Sequence, residues 1–462
     1  MLVKVNVDFT RKISDWDGFG INYVETAQSK DYSSDKQDYG GFSILSQEQR
    51  NEIINLVFGP DGLKPNVIKM FLDPFHQKEA GGPFDHKTTT QWMRYFVQEG
   101  CRINKNANRP MDIITTLYGP PAFITKQKFM RGRDLDPARI DDLSQYFISW
   151  LKYLREEEKF PVNYVSLHNE GEDYKRWPED GSHGNIGTGH DYNMYWPPEQ
   201  VASYMPVLRK ALDKAGLNDV LVSPGETSNW TRFHNWGYGD AIADNPEAAK
   251  AIGIITSHGF SGAGKNREAW LSDHRSVGVD VIREKNPNLH SWVTSMSWGQ
   301  MNAAFICMIN ANIYSAKCNS LIPWAAIQRP PLWVGGDPNP GNAIQIAENK
   351  TYEVRKGYYY YKQVCPVGQK GMYVAKTACT NSLTTSMAFS SGKSNSPNAF
   401  VIANASEDEG VFDINVLGGS AKYKVYATSD TKNCQSLPDF CPVNGKGKIS
   451  LEKNAVATFI QQ

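Results

Sequence analysis

VNYVSLHNEGEDY, residues 162–174, begins as a short apolar run and ends as an acidic turn. Residues 162–168 read as a buried strand, and Asn169 and Glu170 follow directly. The segment before it, IDDLSQYFISWLKYLREEE (140–158), has a helical pattern, as does PEQVASYMPVLRKALDKAG (198–216) after it. This strand-and-helix unit recurs along the chain. Comparable strands are GFGINYV (18–24), VIKMFL (67–72), DIITTL (112–117), DVLVS (219–223), GIITS (253–257), SWVT (291–294) and SLIPW (320–324). Further helical patterns cover 46–58, 90–100, 266–285, 301–318 and 352–364.

Eight strand–helix units between residues 18 and 364 predict an α/β fold, a closed (β/α)8 TIM barrel, rather than an open doubly wound sheet. No Gly-rich phosphate fingerprint follows the first strand, which speaks against dinucleotide binding. The loops after strands four and eight (171–197 and 325–351) are long, and a barrel builds its site on such loops. After residue 366 the pattern changes. MYVAKT, SMAFSS, AFVIANAS, VFDINVL, KYKVYAT and AVATFIQQ are alternating or apolar runs split by Gly, Ser and Asn, which predict a side β-sandwich. VKVNVDFT (3–10) alternates in the same way and is expected to join it. The expected layout is an N-terminal sandwich strand (1–14), the catalytic barrel (15–365) and the C-terminal sandwich (366–462).

Lys plus Arg and Asp plus Glu number 49 each, so the net charge is zero. A neutral chain does not supply the basic field that nucleic acid or an anionic membrane requires. No apolar run approaches the ~20 residues that span a bilayer. MLVKVNVDFTRK carries no apolar leader; a secreted or periplasmic location is expected, with Met1 following a removed signal. A monomer is expected. Seven cysteines exclude a fully paired framework. Cys434 and Cys441 flank QSLPDF, read as a short loop, and are candidates for one bridge; Cys307 and Cys318 read as buried thiols. No HExxH and no CxxC spacing occurs, and the loop cluster His183, His190 and Asp191 reads as solvated, so neither metal nor cofactor is expected. A serine hydrolase is disfavoured because no GxSxG elbow is present.

Glu170 is the strongest candidate for chemistry. Asn-Glu alone is a common dipeptide, and a loop glutamate often only caps a helix. Its place after the fourth of eight barrel strands puts it in the mouth. There a partly dry carboxyl gains a raised pKa and can protonate a leaving oxygen. Asn169 beside it can bond a sugar 2-hydroxyl. A retaining mechanism needs a second carboxylate ~5–5.5 Å away. Its natural place is the end of strand seven, opposite, where WVTSMSWGQ (292–300) offers Ser295.

With these residues in place, the chain resembles clan A glycoside hydrolases, most closely glycoside hydrolase family 30 and its neighbours. YGPPAFITK (118–126) looks like that family's strand-three segment, HNE (168–170) matches its strand-four acid/base, and WVTSMSW looks like its strand-seven Trp-x-(Thr/Ser)-Glu with Ser295 in place of glutamate. The resemblance implies a retaining glycosidase on an oligosaccharide or glycan, β-linked, with Glu170 as acid/base and position 295 as the nucleophile's place. Gly171 stands where the family has Pro, and Lys69 or Asp73 where the clan has a strand-two Arg. Three accounts of Ser295 stay open: an engineered substitution, a natural non-catalytic glycan binder, or another carboxylate, Glu226, doing the work. In the last case Glu170 and Glu226 would form an inverting pair with a water between them.

Other substrate-binding candidates follow the strands. Glu226 follows strand five and either meets the sugar or orients a neighbour. His258, after strand six, resembles the clan residue that touches the nucleophile; a satisfied core histidine is the alternative. Trp230, Trp298 and Trp324 follow strands five, seven and eight. Tyr174, Trp177, Tyr192, Tyr195 and Trp196 belong to the strand-four loop. Sugars stack apolar C–H faces on such rings, but core packing accounts for about half of them.

Overall fold

The computed structural model describes residues 1–26, 38–130, 132–174, 192–260, 274–297, 302–330 and 343–462. Trp177, His183, His190, Asp191 and Trp298 lie outside the described residues, as does the first part of the 266–285 helix.

Eight parallel strands form the barrel: Gly18–Asn22, Val67–Leu72, Asp112–Leu117, Val162–Ser166, Leu221–Ser223, Ile255–Ser257, Ser291–Ser297 and Ser320–Trp324. Each pairs with its neighbour in chain order, and the first pairs with the eighth. Strands five and six close the ring through two single parallel bridges, Val222 with Ile252 and Thr227 with Ser257. Most strand residues are buried on both faces of the sheet, which explains the near-continuous apolar sequences. Along the axis, Val67, Ile114, Ile254, Trp292 and Ile322, with Tyr164 packed on them, fill the N-terminal end of the interior.

The surrounding helices bury apolar stripes against the outside of the ring. Gln47–Phe58 starts at a capping box made by Ser46 and Gln49. Between strands five and six, where no helix was expected, there are three short ones: Trp230–Asn235, Tyr238–Asp244 and Pro246–Ala251. Gly237, at φ 84°, separates the first two, and Asn245 ahead of Pro246 caps the third. Residues 352–364, expected as one helix, divide into a strand, Tyr352–Val354, and a helix, Lys356–Lys362. The strand pairs with Ile344–Ile346, so cross-strand partners override the local helical pattern. Among the described residues no helix is long and apolar enough to cross a membrane.

The side sandwich is one nine-stranded mixed sheet rolled onto its own core. The first strand, Leu2–Asp15, lies between Tyr373–Cys379, antiparallel, and Gly410–Leu417, parallel. Val3, Val5, Val7 and Phe9 point inward in turn, which is the period-two pattern read from the sequence. Phe400 and Phe459 stack at 4.3 Å in the centre. QSLPDF is a correction: Gln435–Phe440 is an edge strand paired with Tyr423–Thr428, not a loop. Six extended residues hold Cys434 and Cys441 roughly 20 Å apart, and both are free thiols. The bridge between them is therefore excluded.

Candidate active site

Beyond Ser166 the fourth strand continues as an irregular ladder with the segment after strand five. Glu226 N–H donates to the His168 carbonyl (2.9 Å), and Glu170 N–H donates to the Glu226 carbonyl (2.7 Å). Glu170 itself sits at φ 49°, a left-handed conformation that costs a non-glycine residue energy. The neighbourhood holds it there. The Asn193 amide donates to the carbonyls of Asn169 (2.6 Å) and Glu170 (3.2 Å). Gly171 N–H donates to His168 Nδ1 (3.1 Å). That bond requires a backbone N–H at 171, which proline does not have. A Cβ at 171 would also meet the Met194 carbonyl at 2.8 Å.

Four charged or ionisable groups from four strands meet above the apolar plug. Glu170 Oε1 lies 2.9 Å from His258 Nδ1, and His258 Nε2 lies 3.0 Å from Glu226 Oε2. Lys69, from strand two, pairs with the same Glu226 oxygen. Thr116, from strand three, donates to Glu226 Oε1 at 2.5 Å. Lys69 also stands 3.5 Å from Asn169 Oδ1. Lys69 and Glu226 are fully buried, His258 nearly so, and the Glu170 side chain keeps 14% of its surface. Glu170 is thus the carboxylate of the group that solvent reaches.

Burial alone would raise Glu226, but Lys69 and His258 outweigh it and hold the carboxyl down to about 2. Burial works to lower His258, yet its bonds to Glu170 and Glu226 carry it above the ordinary histidine range. His168, buried without such a partner, is pushed down to about 3 and is neutral.

The other expected site residues separate. Ser295 is buried, at 2% exposure, in strand seven. The register against strand eight slips between Val293 and Met296, and both are buried in the main core. The bulge therefore breaks the alternation at Thr294 and Ser295, a device that re-aims side chains next to active sites. Trp324 is 6% exposed and stacks on Tyr39 at 6.3 Å. Tyr174 is 49% exposed and meets Trp236 edge-on at 5.6 Å. Two expectations need correction. Trp230 is fully enclosed, its indole N–H bonded to Asn312 Oδ1 (3.0 Å), so it offers no face to a sugar. Asp73 accepts from Phe75 N–H (2.8 Å) and Thr89 (2.6 Å) and meets His76 Nε2 (3.1 Å), which ties down the strand-two loop and uses both oxygens. Tyr192 and Trp196 are likewise core residues.

Thr116, which bonds Glu226, and Trp236, which meets Tyr174, were not foreseen. Thr116, the next-to-last residue of DIITTL, carries no local signal. Trp236, whose ring carries Arg232 at 4.5 Å, sits in a segment where no helix was expected. Lys69 had a visible signal: it is the lone charge inside VIKMFL.

No family model matches the chain. Its fold is shared with glycoside hydrolase family 30 structures over nearly its whole length. The catalytic domain of xylanase C from Talaromyces cellulolyticus superposes with a TM-score of 0.74 at 14% identity, covering 99% of this chain and all of that one. The family 30 subfamily 8 xylanase Xyn30A from Clostridium acetobutylicum gives 0.71 at 16% identity and 99% of both chains. Among curated proteins, galactocerebrosidase of Danio rerio is 20% identical over 248 residues, 52% of this chain. The match spans about a third of that relative's length, 32%. The clan A resemblance read from the sequence and the fold relationship agree.

Proposed function

We propose that this chain is a retaining-type glycoside hydrolase scaffold for β-linked glycans, with Glu170 as general acid/base and Ser295 in the nucleophile's place. The observation that carries the reading is Glu170: a partly exposed carboxyl in a strained conformation at the C-terminal end of the fourth of eight parallel strands. The family 30 neighbours and the galactocerebrosidase match support a glycan substrate. Tyr174 and Trp236 supply aromatic surface beside Glu170's strand, and Asn169 and Trp324 remain substrate contacts in this reading. The domain limits proposed are 1–14, 15–365 and 366–462.

With serine at 295 the chain lacks the carboxylate that would form a glycosyl ester, so in this form it binds glycans without turning them over. An inverting pair of Glu170 and Glu226 is the weaker reading. Glu226 has no exposed surface, and its oxygens are taken by Lys69, Thr116 and His258. A general base needs a water beside it.

The test is Ser295→Glu assayed against a panel of aryl glycosides and natural β-glycans. Hydrolysis should appear, and Glu170→Gln in that background should remove it, most severely for poor leaving groups. The unaltered chain should bind the same glycans by calorimetry. Inactivity of Ser295→Glu on the whole panel, together with a native activity abolished by Glu226→Gln, would overturn the assignment.

A further inference from the structure

Resting on the reading above for the role of Glu170, we propose that His258 stands as an imidazolium between Glu170 and Glu226, holding Oε1 of Glu170 so that the chemistry passes through Oε2, and thereby sets how readily Glu170 gives up its proton. His258 is then a positioning residue for the acid/base, not a partner of the strand-seven position that the resemblance implied.

Nε2 of His258 faces Glu226 Oε2 at 3.0 Å, and Nδ1 faces Glu170 Oε1 at 2.9 Å. An ionised carboxylate can only accept, so a histidine between two of them satisfies both by donating from both nitrogens, which is the charged form. Glu226 is fixed as the anion by Lys69 and Thr116, and it therefore fixes the proton on Nε2. The Nδ1 proton is left for Glu170. This is the logic by which a buried carboxylate orients a catalytic imidazole, here turned toward a carboxyl instead of a hydroxyl.

The charges around the ring balance. Lys69 and His258 are positive; Glu226 and ionised Glu170 are negative. Lys69 opposes the histidine charge, His168 from strand four is neutral, and Phe260 meets the ring edge-on at 5.6 Å. Glu170, Glu226 and Lys69 are the charged groups that act most strongly on the His258 ring. The direction of the His258 shift agrees with the geometry.

Two protonation states of Glu170 follow. In the Ser295→Glu background, Glu170 with a proton on Oε2 can protonate the leaving oxygen while the carboxylate introduced at 295 bonds to the anomeric carbon, and the bond from that carbon to the leaving oxygen breaks with its electron pair staying on oxygen. The resulting carboxylate is stabilised at once by the Nδ1–H that already holds Oε1. When water then attacks the anomeric carbon and displaces the carboxylate at 295, its proton returns to Oε2. His258 keeps both protons throughout, so it lowers the energy of the Glu170 anion without being consumed.

Selective 15N labelling of the nine histidines and pH titration of the ring signals tests this in the protein as it stands. One ring, identified by its loss in His258→Gln, should be protonated at both nitrogens at neutral pH. Glu170→Gln should lower its midpoint by a unit or more, a tenfold change, while Nε2 stays protonated. A midpoint unmoved by Glu170→Gln, or a neutral ring below its ordinary range, would overturn the proposal. In the Ser295→Glu background, His258→Gln should move the basic limb of kcat/KM to higher pH, because the acid loses a cationic neighbour. A ring that only packs would lower the rate and leave the limb in place. Should Ser295→Glu prove inactive on every glycan, the glycosidase reading fails, yet the titration still decides the state of His258.

Discussion

The two ends of the barrel interior are built by the same strands to opposite chemical ends. At the N-terminal end Val67, Ile114, Ile254 and Trp292 form a dry plug. Two residues further along their strands stand Lys69, Thr116, Thr256 and Thr294, and His258 follows two after Thr256. A spacing of two keeps a residue on the same face of a strand, so each strand changes from apolar to polar as it climbs toward the mouth. The plug can be explained by area removed from water alone. The upper layer cannot: its charges are stable only as a connected set, because each would be costly if left alone. The lower end supports the fold and the upper end spends stability on a carboxyl poised at the surface.

The sharpest way to break that contrast is at position 295. Ser295→Glu should raise hydrolysis of an accepted glycan by on the order of 10⁴-fold or more, in line with what removal of a catalytic nucleophile costs elsewhere. Steady-state assays check it, and no comparable gain should follow any substitution in the plug. Next in size are the paired losses. Trp292→Ala should cost about 3–5 kcal/mol of unfolding free energy by opening a cavity. Glu226→Ala should cost about as much, roughly 3–5 kcal/mol, by stranding Lys69 without its partner. Urea denaturation would give similar totals with different remedies: a hydrophobic replacement rescues position 292, whereas only Lys69→Met together with the Glu226 change rescues the upper layer.

The pH dependence of stability separates the layers further. Glu226 is held to about 2 in the folded state, below its unfolded value, so its contribution is complete above pH ~4.5 and is lost as pH falls toward 2. His258 is raised, so its contribution is complete below pH ~6.5 and is lost as pH rises through the folded value. Glu226→Gln should flatten the acid limb of a stability–pH curve, whereas plug substitutions should shift the whole curve without changing its shape. The smallest effect expected is Ile254→Val, about 1 kcal/mol, with glycan binding unchanged by calorimetry; altered binding there would mean the two layers are coupled.

How far these features were legible depends on the distance over which each is decided. The eight strands were readable because a buried parallel strand is a local apolar run: VIKMFL, DIITTL and SLIPW coincide with their strands residue for residue. The Leu2–Asp15 strand was readable because its one-sided burial writes a period of two into the sequence. QSLPDF was misread because an exposed edge strand carries no such pattern, and its proline fits an edge as well as a loop. Trp230 was misread because a tryptophan after a strand looks the same whether it faces the cleft or a helix.

Taken by itself, the amino-acid sequence determined the barrel, the sandwich and the place of Glu170 in the chain, since hydrophobic period and strand count are local quantities. The tertiary structure decided what Glu170 touches. Lys69 and Glu226 are 157 positions apart, and Glu170 and His258 are 88. Nothing local selects such partners. Closing the ring brings strands two, four, five and six to one spot, and only there do desolvation and pairing make four separate side chains into one electrostatic unit.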